Sequence, residues 1–139
     1  MKGKRILLIE DEALFRTAVR IVMTRRGYDV VEAGDGDEGM QCIISSILEE
    51  NPYSLILLDL IMPKVSGIDV IEYLVEEKIE TPVLVITSML DFDIEFFCSR
   101  LKNIAVLQKP FSSKEFFRKL SEMLGTLNES GGRHEQQNI

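Results

Sequence analysis

Acidic, hydroxyl and amine side chains each follow a short apolar run of this 139-residue chain. In chain order, these polar residues are Glu10, Asp11, Glu12, Asp59, Thr87 and Lys109. Carboxylate oxygens without a neighbouring histidine or thiolate favour a hard cation, Mg²⁺ or else Mn²⁺. A carboxylate beside such a cation and a lysine is suited to attack a phosphoryl group, because the positive groups offset charge on the phosphoryl oxygens. The residue types therefore predict phosphoryl chemistry at a magnesium site.

Each of these residues, taken alone, also has an ordinary structural explanation. Acids often cap helices, threonine often ends a strand, and Lys-Pro is a common turn. Their recurrence after four separate apolar runs favours a shared site instead. The chain has no Walker phosphate loop and no dinucleotide glycine fingerprint, so the phosphoryl group should come from a donor other than a bound nucleotide.

The elements that must position these residues alternate along the chain. Short apolar runs predict five strands, at residues 6–9, 28–33, 55–58, 83–86 and 104–107. Continuous apolar runs are typical of strands buried on both faces of a parallel sheet, and the segments between them have helical spacing. This pattern predicts an α/β fold, a doubly wound parallel sheet of five βα repeats. Ligands bind at the carboxyl edge of such a sheet, which is where the polar residues fall.

Two helices have clear sequence signals. The second begins at Asp35 with Glu38 as its capping partner, and its apolar residues predict a buried stripe of Met40, Ile43, Ile44, Ile47 and Leu48. The last helix begins with a capping box at Ser112 and ends at Gly125.

The predicted fourth helix, over residues 91–101, has phenylalanines on two sides. Helical spacing places Ile94, Phe97, Cys98 and Leu101 on the buried side. Phe92 and Phe96 then project outward, which suggests a contact surface on this helix. Alternatively, the helix begins late and Phe92 folds back as loop packing.

Composition and charge limit the partners and the location. The net charge of −7 argues against direct nucleic-acid binding by this domain, and no apolar stretch is long enough to cross a membrane. Cys42 and Cys98 fit free thiols of a reducing cytosol, so we expect a cytoplasmic protein. Residues 1–127 are predicted to form one domain, and residues 128–139 a flexible tail or the start of a linker.

Four motifs carry a resemblance to a known family. They are Ile-Leu-Leu-Ile-Glu10-Asp11-Glu12, Leu-Leu-Asp59-Leu-Ile-Met62-Pro63 followed by Gly67, Ile86-Thr87-Ser88, and Gln108-Lys109-Pro110-Phe111. Between about residues 4 and 125 the chain resembles the receiver domain of two-component response regulators. The resemblance implies the flavodoxin-like strand order 2-1-3-4-5 of the chemotaxis regulators.

The resemblance also implies a role for each site residue. Asp59 would accept a phosphoryl group from a sensor histidine kinase or a phosphotransfer protein. Asp11, Asp59 and the carbonyl of Ile61 would bind Mg²⁺, with Glu10 acting through a water. Lys109 and Thr87 would contact the phosphoryl group and switch an output face made of the fourth helix, fifth strand and fifth helix. A homodimer or an effector protein would dock on that face, and the Lys109–Pro110 bond would be cis.

Three positions depart from the family pattern. Val106 stands where the family usually has an aromatic switch residue, so the usual ring rotation cannot report phosphorylation. Ile61 and Met89 are apolar at positions that help to place the hydrolytic water. We therefore expect slow loss of the phosphoryl group from Asp59.

Other classes of protein remain as alternatives. A degenerate receiver would act as an interaction module without phosphorylation, and Val106 keeps this alternative open. A haloacid-dehalogenase-like phosphohydrolase would need a second aspartate where Ile61 stands. In a flavodoxin-like cofactor binder, Glu10, Asp11 and Glu12 would repel the cofactor phosphate. The expected function is thus a signalling switch, not an enzyme acting on other substrates.

Overall fold

A computed structural model of the chain describes residues 3–62, 64–88, 95–96 and 98–125. Its strands are β1 (Arg5–Ile9), β2 (Asp29–Ala33), β3 (Leu55–Asp59), β4 (Val83–Thr87) and β5 (Ile104–Gln108). Its helices are α1 (Ala13–Arg25), α2 (Gly36–Leu48), α3 (Gly67–Glu76) and α4 (Ser113–Leu124), and α4 is the fifth helix of the sequence prediction. All five predicted strands are confirmed to within one residue at each end.

The strands form one parallel sheet in the order β2-β1-β3-β4-β5, which confirms the predicted topology. Ile9 of β1 pairs with Leu58, and Asp59 at the end of β3 pairs with Ile86. The carboxyl ends of the three central strands therefore lie side by side.

Both faces of the sheet are buried, because successive side chains of a strand point to opposite faces. In β1, Leu7 and Ile9 pack on the face that α2 and α3 cover, whereas Ile6 and Leu8 pack on the face that α1 and α4 cover. This double burial explains why the strands of the sequence are continuously apolar.

The buried stripe predicted for α2 is wrong at three of its five positions, since Ile43 is buried and Met40 packs half-buried against the core. Ile44, Ile47 and Leu48 are exposed, and Leu48 keeps 79% of its surface accessible. The buried side of α2 consists instead of Gly36, Gly39, Ile43 and Ser46. A Cβ atom on Gly39 would lie only 2.5 Å from Cδ1 of Ile9, so a small residue is needed where the helix approaches β1, while Ile44, Ile47 and Leu48 face outward.

The predicted caps of two helices are confirmed. The Asp35 side chain accepts a hydrogen bond from the Glu38 amide at the start of α2. Ser112 and Glu115 form a capping box at the start of α4, and Gly125 ends that helix with a φ of 70°.

Part of the predicted fourth helix lies within the described residues. Glu95, Phe96 and Cys98 are helical, Cys98 is buried as predicted, and Phe96 is 72% exposed, as expected for an outward ring. Met89, Phe92, Ile94, Phe97 and the proposed tail of residues 128–139 lie outside the described residues. In the described ranges, no helix is long and apolar enough to cross a membrane.

Gly67, which the sequence motif singled out, sits where α3 meets the end of β3. Its amide donates a hydrogen bond to the Leu60 carbonyl. An added Cβ would overlap the carbonyl oxygen of Asp59 and lie 2.5 Å from the Leu60 Cα. The absence of a side chain at Gly67 thus lets α3 begin directly against the end of β3.

The close approach at Gly67 generates a stability prediction. Gly67→Ala forces a methyl group into backbone atoms that have no free space, and should cost about 2 kcal/mol or more of unfolding free energy. Gly34→Ala is the matched control, because its added Cβ would lie 3.4 Å from the nearest atom, a side-chain oxygen. Urea denaturation of both variants checks this, and equal stabilities would contradict it.

Candidate functional site

Three carboxylates meet at the carboxyl edge of the sheet. Glu10 directly follows β1, where its amide donates to the Ala33 carbonyl of β2, and Asp59 is the last residue of β3. One oxygen each from Glu10, Asp11 and Asp59 can be chosen so that all three lie within 4.8 Å of one another. Glu10 and Asp59 are buried, whereas Asp11 is exposed. The structure thus brings together the three acids that the sequence placed at two separate strand ends.

Lys109 reaches this cluster from the turn after β5. Its amide donates to the Thr87 carbonyl at the end of β4 (2.8 Å), and its peptide bond to Pro110 is cis, as predicted. Its Nζ lies 3.3 Å from Oε1 of Glu10 and 4.0 Å from Oδ2 of Asp59. The ammonium group therefore contacts two of the three acids.

Thr87 is the buried last residue of β4. It stands one residue beyond Ile86, the partner of Asp59 in the sheet register. Thr87 therefore lies at the same edge of the sheet as Asp59.

Burial sets the electrostatics of the site. It raises the pKa of Glu10 to about 7, against the opposing hydrogen bond from the Glu12 amide, and the charge of Asp59 adds to the rise. Burial likewise raises the pKa of Asp59, against the opposing charge of Lys109. One ammonium therefore does not neutralise the cluster, and the all-oxygen donor set fits a hard divalent cation.

The described apolar positions that depart from the family pattern are Ile61, next to Asp59, and Val106 in β5. The Ile61 amide donates to Oδ1 of Asp59 (3.3 Å), while its side chain is 49% exposed. Val106, in β5, is half-buried and packs on the sheet face that α2 and α3 cover. Met89, the other predicted dephosphorylation residue, lies outside the described residues.

Sequence reasoning missed two residues of the first helix that touch the site. The Nη1 atom of Arg16 donates to the Glu10 carbonyl (2.8 Å), and the same side chain pairs with Glu32. The Phe15 ring lies 4.2 Å from Nζ of Lys109. The sequence contained a signal for both residues, because a helix that begins directly after Glu12 must place its first turn beside the acids.

Comparison with known proteins gives a family match. Residues 6–121 match the response regulator receiver domain family. The chain is 30% identical over 134 residues to the probable transcriptional regulator ycf27 of Porphyridium aerugineum, covering 96% of this chain and 53% of that protein. It is 31% identical over 122 residues to the alkaline phosphatase synthesis transcriptional regulatory protein PhoP of Bacillus subtilis, covering 88% and 49%. The chain spans about half the length of these relatives.

Solved structures share the fold. A CheY-like response regulator receiver domain protein of Methanospirillum hungatei superposes with a TM-score of 0.78 at 21% identity, covering 94% of this chain and all of that one. The response regulator TrrA of Thermotoga maritima, in complex with Mg²⁺-BeF, gives a TM-score of 0.71 at 24% identity, covering 87% and 99%. At these identities the likeness establishes the fold alone.

The buried charge of Glu10 predicts a pH-dependent stability. The pKa of Glu10 is about 7 in the folded protein and 4.5 for an ordinary glutamate, so stability falls as pH rises between these values. Glu10→Gln removes this titration. Without divalent metal, its advantage over the wild type should be small at pH 5 and reach the order of 2 kcal/mol at pH 8.

Urea denaturation in EDTA across this pH range measures the effect. Glu12→Gln is the control, because it removes the same charge from an exposed neighbour. A Glu10→Gln advantage that does not grow with pH would contradict the prediction.

Proposed function

The chain belongs to the response regulator receiver domain family, and from that premise we propose that it is a phosphorylatable switch. In this proposal Asp59 accepts a phosphoryl group from a phosphohistidine of a sensor kinase or phosphotransfer protein. The observation that carries the proposal is the approach of Lys109 Nζ to both Glu10 (3.3 Å) and Asp59 (4.0 Å), within one cluster of three carboxylates.

The transfer step would use the side chains of this site, a divalent cation and a phosphohistidine of the partner protein. A carboxylate oxygen of Asp59 attacks the phosphorus, an O–P bond forms, and the P–N bond of the phosphoimidazole breaks. The imidazole keeps the electron pair and takes a proton from solvent. Lys109 exchanges its contact with Glu10 for one with a phosphoryl oxygen, and the Thr87 hydroxyl donates to another.

The donor set of the site suits a magnesium ion. Asp11, Asp59 and the carbonyl of Ile61 would hold Mg²⁺, or Mn²⁺, with Glu10 acting through a water. When bound, the ion supplies positive charge that stabilises the phosphoryl oxygens during transfer. The similar fold of TrrA, solved in complex with Mg²⁺-BeF, supports this assignment.

The surface around Phe96 is our candidate for partner contact. Its ring is 72% exposed, on the predicted fourth helix next to β5 in sequence, and exposed aromatic rings favour protein contacts. A second copy of the chain or an effector protein would bind there. The relative from Bacillus subtilis is named as a transcriptional regulatory protein, and the one from Porphyridium aerugineum as a probable transcriptional regulator.

A receiver that binds partners without phosphorylation is the second candidate function. Val106 favours it, because an aliphatic side chain at that position has no ring whose rotation could report the state of Asp59. The two candidates agree on the fold and differ only in whether Asp59 reacts.

Acetyl phosphate with Mg²⁺ tests the reaction at Asp59 directly. We expect the wild type to gain the mass of one phosphoryl group, and Asp59→Asn or excess EDTA to abolish the gain. Asp37→Asn, which removes an exposed carboxylate of α2, should react like the wild type. Intact mass spectrometry reads the modification, and chromatography of the same samples reads any change in oligomeric state. An unmodified wild type would favour the interaction module.

The apolar side chain of Ile61 predicts slow loss of the phosphoryl group. Ile61→Asn offers an amide that can orient a water, and one hydrogen bond of about 1 kcal/mol corresponds to roughly a fivefold faster loss. Ile61→Val keeps the surface apolar and should lose the group as slowly as the wild type. Phosphorylated protein freed of donor is followed by mass against time. A wild-type half-life of seconds, lengthened by Ile61→Asn, would contradict the prediction.

A further inference from the structure

The ammonium group of Lys109 has a third neighbour besides the two carboxylates. Its Nζ lies 4.2 Å from the centre of the Phe15 ring, over the ring face. Only 19% of the Lys109 side chain is exposed, so little water competes for the charge. An aromatic face attracts a cation at this distance, and the attraction grows as the cation is desolvated.

We infer that Phe15 is a positioning residue for phosphoryl transfer, which holds the Lys109 ammonium by a cation–π contact; this inference rests on the proposed function. In that reaction Lys109 must leave Glu10 to reach the phosphoryl oxygens. The Phe15 ring is uncharged, so it keeps its attraction for the ammonium when the charges around it change. It also lacks any donor or acceptor that could compete for the phosphoryl group.

Packing keeps the Phe15 ring in place. The ring meets Phe111 edge-on, with centroids 6.1 Å apart and an interplanar angle of 79°. Phe111 in turn stacks on Phe116 at 5.6 Å and 16°. Because Phe111 follows Lys109 by two residues, the same turn positions both the ammonium group and the ring that packs against Phe15. The first helix and the β5–α4 turn thus enclose the lysine between them.

The electrostatic role can be separated from simple packing by the choice of variant. Phe15→Leu removes the ring, whereas 3,4,5-trifluorophenylalanine at position 15 keeps its shape but removes most of the negative charge of its face. Phe15→Tyr keeps the electron-rich face. We expect Phe15→Leu and the trifluoro variant to lower kcat/KM for phosphorylation by acetyl phosphate about fivefold or more. Phe15→Tyr should react like the wild type.

Phe117→Leu is the matched control. The Phe117 ring also holds a cation, with Cζ of Arg26 3.9 Å from its centroid, and it packs against Phe116 at 5.1 Å. Phe117→Leu therefore removes a cation–π contact at the far end of the row of rings that begins with Phe15. It should leave the rate of phosphorylation unchanged, whatever it does to stability.

A second measurement does not depend on phosphorylation. The shift that trifluorophenylalanine at position 15 causes in the urea midpoint should disappear in a Lys109→Met background, because no charge remains over the ring. A wild type that is never phosphorylated would refute the proposed function while leaving this contact measurable. A phosphorylated wild type whose trifluoro variant reacts equally fast would overturn the inference, even if Phe15→Leu is slow.

Discussion

One ammonium group lies beside a cluster of three carboxylates at the edge of the sheet, and this arrangement leaves an excess of acidic groups there. Glu10 and Asp59 are buried, so neither is freely screened by water, and burial raises the pKa of both. Removing either acid would relieve the repulsion but would also remove a contact of the Lys109 ammonium group. The fold therefore holds together carboxylates that repel one another, and the parallel sheet fixes their positions.

The fold was largely predictable, because its strands are buried on both faces. A strand such as β3, with Leu55 to Leu58 all apolar, has no solvated side, and such runs are distinct from amphipathic helices. The polar residues that end these strands were predictable for the same reason, since they break an apolar run at its carboxyl end. The order of the strands in the sheet was not predictable in this way, because spacing along the chain does not say which strands are neighbours. That order came from the resemblance to the family alone.

The sequence-based predictions failed where the outcome depended on the distance between two elements of the fold. The apolar residues of α2 predicted its buried side correctly only at Met40 and Ile43, because the helix lies so close to β1 that Gly39 is needed at the contact. Periodicity reports which residues share a side, but not how near the neighbouring element lies. The contact between Phe15 and Lys109 was missed for a related reason, since it joins residues distant in sequence and neither belongs to a pattern that includes the other.

The distribution of aromatic rings bears on how a change at Lys109 would spread. Val106 packs on the sheet face that α2 and α3 cover, whereas Phe111 and Phe116 pack on the opposite face with α1. A displacement of Lys109 would therefore press first on Phe15 and Phe111, because these rings are in contact with it or follow it directly in the chain. Closely packed rings have little free volume to absorb such a shift. The mechanical route from the site to α4 thus runs through rings on the α1 face, and a valine in β5 does not interrupt it.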